Sequence, residues 1–126
     1  MEFFRRFSAD ADETRVRQLI TLARLPQLCA SIDALLEDQG DWGRIYCVWG
    51  EFRVRREPIR NGVRLTLPGC PNALAWTVTA EQQSVTIHRT INRADHDADF
   101  VASIEQFVED WQRGLSQAFQ GQTGSL

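Results

Sequence analysis

Cys70 stands in a Pro68-Gly69-Cys70-Pro71 loop, and the chain has two histidines, His88 and His96. A thiol beside an imidazole is the smallest set that supports nucleophilic catalysis, because the imidazole can take the thiol proton. No short motif ties Cys70 to either histidine, so a small Cys/His enzyme is a secondary reading. Asp95-His96-Asp97-Ala98-Asp99 offers carboxylates and one imidazole to a divalent cation. The same residues open an amphipathic stretch, where acids cap free N–H groups and meet the positive end of a helix dipole. Capping is the preferred reading there. Asp33, Glu37, Asp38 and Asp41 read as a solvated helix end. No metal and no cofactor is expected.

The arginines make a stronger pattern. All fourteen cationic residues are arginine, and six of them (Arg44, Arg53, Arg55, Arg56, Arg60, Arg64) fall between positions 44 and 64. Six acids and no arginine lie between positions 95 and 110. A net charge of −3 therefore hides a basic middle and an acidic end, which suits an acidic partner for one surface. The missing lysine has a plain source in codon bias. Arginine beside tryptophan is the pairing enriched in protein interfaces, and arginine with stacked aromatics also serves RNA-binding sheets.

Those side chains need elements to hold them. The spacing of Val16, Leu19, Ile20, Ala23, Leu28, Ile32, Leu35 and Leu36 predicts an N-terminal helix, kinked at Pro26 and stopped near Gly40. Asp10 and Glu13 suggest its capping box. From Arg44 onward the period becomes two. Four strands follow: residues 44–55, 63–67, 74–79 and 85–88, with Asn61-Gly62 as a tight turn and Pro58 as a bulge. Phe100, Val101, Ile104, Phe107, Val108, Trp111, Leu115 and Phe119 then trace the stripe of a long C-terminal helix. The expected fold is an α+β two-layer sandwich. A four-stranded antiparallel meander carries the kinked N-terminal helix and the C-terminal helix on one face, in the order α-β-β-β-β-α. Residues 1–119 are expected to form a single domain and residues 120–126 a flexible tail.

Strand parity, carried unbroken from 44 to 55, puts Ile45, Cys47 and Trp49 on the open sheet face with Arg53 and Arg55. Arg64 and His88 join them from neighbouring strands. Tyr46 and Val48 then point to the core. An apolar patch beside arginines suits a protein surface rimmed by acids. The Phe3/Phe4/Phe7 segment is a competing intrachain cover for that patch.

At 126 residues the chain can bury roughly two-thirds of its unfolded surface, enough for one core. No apolar run reaches the roughly 20 residues of a membrane span. Three unpaired-looking cysteines (Cys29, Cys47, Cys70) fit a reducing cytoplasm rather than a disulfide framework.

In its α-β4-α order, size, acidity and long last helix, the chain resembles the small acidic chaperones of type III secretion. That resemblance implies a homodimer holding extended client segments. The same α-β4-α order, with acidic residues on the first helix, also resembles the frataxin group. The functional expectation is a non-enzymatic protein-binding module, a homodimeric adaptor or secretion-chaperone-like protein. Its binding residues would be Ile45, Cys47, Trp49, Arg53, Arg55, Arg64 and His88. Nucleic-acid binding on the basic sheet face is the alternative.

Overall fold

The computed structural model describes residues 2–70, 74–91 and 98–124. A strand opens the chain, β1 (Glu2–Ser8). Two short helices follow, α1 (Glu13–Leu19) and α2 (Leu25–Leu28), joined by a 3-10 turn at Leu22–Arg24. Six strands come next: β2 (Ile32–Asp38), β3 (Trp42–Cys47), β4 (Gly50–Ile59), β5 (Gly62–Thr66), β6 (Ala75–Glu81) and β7 (Ser84–Thr90). The long helix α3 (Ala98–Gly124) ends the fold. The strands form one antiparallel sheet in the order β1-β7-β6-β5-β4-β3-β2. The meander from β2 to β7 is closed at its far side by β1, with Glu2 opposite Thr90 and Ser8 opposite Ser84.

The α+β class holds, but the four-stranded sheet does not: there are seven strands. The α-β4-α order on which the chaperone and frataxin resemblances rested is therefore not the order of this fold. Residues 32–38 are a strand, not the second half of a helix. Two register shifts in its pairing with β3 break its alternation, which is why Ile32, Leu35 and Leu36 mimic helical spacing. The stretch 38–41, read as a helix stop, is the hairpin between β2 and β3, with Gly40 at φ 86°. Asp12, not Asp10, caps α1, its carboxylate accepting from the Arg15 N–H at 2.8 Å. Pro26 sits in the first turn of α2, where its missing N–H costs nothing. Pro58 makes no bulge. It pairs with Val63 in continuous register on a part of β4 that outruns β3, so one side of the strand has no ladder there.

The Asn61-Gly62 turn forms as expected, with Asn61 at φ 69°. Strands β5 to β7 and helix α3 also lie where alternation and the apolar stripe place them. The inner sheet face carries Ile45, Cys47, Val54, Val63, Leu65, Trp76, Val78, Ala80, Val85 and Ile87, all buried. Against it α3 lays Ile104, Phe107, Val108, Trp111, Leu115 and Phe119. Trp76 meets the Phe107 ring edge-on at 5.1 Å between centroids and Trp111 at 6.0 Å.

Arg56 clamps α1 to β4. Its guanidinium donates to the carbonyls of Ile20 and Arg17 at 2.7 and 2.8 Å, the acceptors a helix end leaves open. Gly114 lets α3 pass close to the end of α2, since a Cβ there would overlap the Leu28 carbonyl.

Candidate functional site

The stretch 44–55 is two strands, and the turn between them resets the parity. Ile45 and Cys47 point into the core, while Trp42, Arg44 and Tyr46 point out. Ile45, Cys47 and Trp49 therefore do not share the open face with Arg53 and Arg55. Gly50, at φ 116°, takes the backbone through the turn in a region that disfavours other residues. Trp49, in that turn, packs on the core side. Its ring lies 5.1 Å from Phe107 and 6.3 Å from Phe100, and its Nε1–H donates to Ser103 Oγ at 2.9 Å.

Arg53, Arg55, Arg64 and His88 do face outward, as alternation predicted. The register sets Trp42 opposite Arg55, Arg44 opposite Arg53 and Tyr46 opposite Glu51. Arg44 bridges Glu37 and Glu51 at 3.0 and 3.1 Å. Arg55 approaches Glu57 at 3.8 Å. Arg53 makes no ion pair among the described residues; its guanidinium lies over the Trp42 ring, 4.9 Å from the centroid. Asp41, Trp42, Arg53, Arg55 and Pro68 line a shallow groove beside this stack.

Among the described residues, Phe4, Leu36, Trp42, Tyr46 and Val48 are the exposed large hydrophobics. Four of the five sit on β2, β3 and the turn after β3. Tyr46 and Val48 are 50% and 57% exposed, so the residues expected in the core are the ones that reach solvent. The N-terminal phenylalanines do not cover this margin. Phe3 and Phe7 turn to the inner face, and Phe4 stacks on His88 at the opposite side of the sheet, 4.3 Å between ring centroids. His88 also meets Glu2 at 3.0 Å. Cys70 packs against the core and His88 lies on the outer face, so the fold does not bring them together as a nucleophile and base. Asp95, His96 and Asp97 lie outside the described residues.

The interior holds two charged groups among the described residues, Asp110, which accepts from Ser31 and Gln106, and Arg89, which the sequence reading passed over. Arg89 is fully buried. Its guanidinium carbon lies 4.2 Å from the centroid of Phe107, 4.8 Å from Trp76 and 5.1 Å from Trp49. The signal was present in β7: Val85, Ile87 and Arg89 share the inward parity. Burial lowers the Arg89 pKa to about 9, opposed by Cys29, Cys70 and Cys47, whose thiols are near enough to act on it. Burial also pushes the Cys29 thiol up to about 12 and raises Cys47.

The two shifts have opposite linkage. Cys29 ionises more readily unfolded than folded, so its contribution is intact below about pH 9 and is lost as pH rises toward 12. Arg89 burdens the folded state up to about pH 9, and the burden lifts above it. Wild type compared with Cys29→Ala, both retaining Arg89, isolates the thiol. Wild type is expected to lose stability relative to the variant by up to about 1.4 kcal/mol per pH unit above pH 9. Denaturant unfolding between pH 8 and 10.5 reads this directly. A constant difference across that range would show that Cys29 is not held as a buried thiol.

No helix among the described residues is long and apolar enough to cross a membrane. Neither a protein-family model nor a curated protein matches this chain.

Proposed function

We propose that the chain is a non-enzymatic protein-binding module that works through the β2–β3 margin of its outer sheet face. One observation carries the reading. Among the described residues, four of the five large exposed hydrophobics lie along this margin, and Arg53, which stacks on one of them, makes no ion pair. Scattered apolar residues on a surface need no explanation, but a cluster rimmed by arginine suits a protein interface. The bulges in β2 turn that edge away from simple strand addition, so the face rather than the edge is the contact. The binding residues in this reading are Trp42, Tyr46 and Val48 with Arg53 and Arg55. They replace Ile45, Cys47 and Trp49. The first partner to test is a second copy of the chain, with Arg53 and Arg55 meeting acids at the rim.

Trp42→Ala and Tyr46→Ala are expected to weaken self-association more than about tenfold. Unfolding free energy should stay within about 0.5 kcal/mol, as for surface substitutions. Sedimentation equilibrium and denaturant unfolding on the same samples separate the two effects. A wild-type chain that stays monomeric up to high micromolar concentration would sink the homodimer form.

The alternative reading, nucleic acid, draws on Trp42 and Tyr46 standing outward on the same sheet face as Arg53 and Arg64. The Trp42 face used for stacking is already taken by Arg53, which favours the protein reading. A salt-sensitive RNA or DNA complex, lost on Arg53→Glu with Arg64→Glu, would put nucleic acid first.

A further inference from the structure

Among the described residues, the buried side-chain atoms without a hydrogen-bond partner are Arg89 Nε, Nη1 and Nη2, Trp76 Nε1 and Trp111 Nε1. All five are donors, and none is an acceptor. They belong to one cluster, because Arg89 lies over Trp76 and Trp76 packs on Trp111. Buried polar groups are normally satisfied, and a lone buried charge is among the costliest groups to leave unpaired. The aromatic faces attract the cation but accept no conventional hydrogen bond from it. The nearby thiols are weak acceptors, and burial keeps Cys29 and Cys47 protonated at neutral pH. What this cluster lacks, among the described residues, is an anion.

Of the three rings over Arg89, Trp76 and Phe107 are buried and Trp49 is part-exposed. The Trp49 ring stands on the β3–β4 turn beside Gly50, with one hydrogen bond, to Ser103, holding its indole N–H. Displacing that ring uncovers one side of the guanidinium.

We propose that Arg89 is the receptor for the carboxylate of a small apolar acid, which enters past Trp49 and rests its body among Trp49, Trp76 and Phe107. A single carboxylate matches one guanidinium in charge and in its paired donors. A phosphate monoester carries nearly two charges, and the ring cluster offers no second cation. The aromatic walls favour an acid with an apolar body over a bare inorganic anion. This site lies on the opposite face of the sheet from the protein-binding margin, so either can fail without the other.

The test uses the full chain with sodium benzoate, and with benzamide as the neutral body of the same shape, at constant ionic strength. Benzoate is expected to raise the unfolding temperature and to shift the Arg89 Nε–H resonance. It should bind about ten- to a hundredfold more tightly than benzamide, the range for a charge-assisted hydrogen-bonded pair. Arg89→Met should erase the difference. Arg89→Lys keeps the charge without the paired donors and should recover only part of it. If Arg89→Met fails to fold, the contrast between benzoate and benzamide in wild type, read at the Arg89 resonance, still decides. Equal responses to the two compounds, or a benzoate response that survives in Arg89→Met, would overturn the proposal.

Discussion

Trp111→Ala is expected to lower the free energy of unfolding by about 3–5 kcal/mol, the range for truncating a large buried aromatic. Trp111 is 0% exposed and packs on Trp76 and Phe107. Its Nε1–H has no partner, so the substitution breaks no hydrogen bond there. The whole loss comes from apolar contact and the cavity left between α3 and the sheet. Gly114, three residues on, fixes α3 against α2, so the helix cannot settle into the void without moving a backbone contact. Trp111→Phe should fall in between. Denaturant titrations with an unchanged slope would measure it, and a loss under about 1 kcal/mol would mean that α3 is not the second layer of the core.

Arg89→Met is expected to go the other way, stabilising the ligand-free chain by about 1–3 kcal/mol. Two effects of similar size compete. Keeping a guanidinium out of water costs several kcal/mol even after relaxation. Its contacts with the rings of Phe107, Trp76 and Trp49 return about 2 kcal/mol at the best of them, and one cation cannot take full value from all three. Methionine keeps a flexible stem and makes sulfur–aromatic contacts in the same cage. Unfolding midpoints in buffer free of small acids give the comparison. A loss of stability instead would show that the rings outweigh desolvation and that Arg89 is held for packing alone.

Parity and period made part of this molecule readable. Leu74, Trp76 and Val78 name the inner face of β6, and the stripe from Phe100 to Phe119 names the face of α3. What failed was any inference carried across a turn that left little mark. Val48-Trp49-Gly50 looks like strand, with only Gly50 to break it, yet the chain reverses there. Every side chain before the turn was assigned to the wrong face, because a shift of one residue exchanges the two sides of a sheet. Phe3, Arg5 and Phe7 do alternate, but a strand that pairs with residues 84–90 has no local partner to announce it. β2 was hidden by its bulges, which spaced its apolar residues like a helix. The candidate site was half legible for the same reason: Arg53, Arg55 and Arg64 were placed correctly and their apolar neighbours were not. Arg89 was legible from its parity, but a charge at an inward position runs against the expectation that arginine faces water.

The pairing of β1 with β7 also sets a timetable. Ser8 finds its partner only when Ser84 has been made, a delay of roughly 4–15 s at ordinary synthesis rates of about 5–20 residues/s. Until then Phe3 and Phe7 have no neighbouring strand, and the inner face they help to cover has no α3 above it. Closing so long a loop spends chain entropy before any ladder bond repays it, which makes this seam a late event in folding. Residues 2–8 are therefore made well before the strand that pairs with them, and the nascent chain carries them apolar and unpaired until residues 84–90 follow.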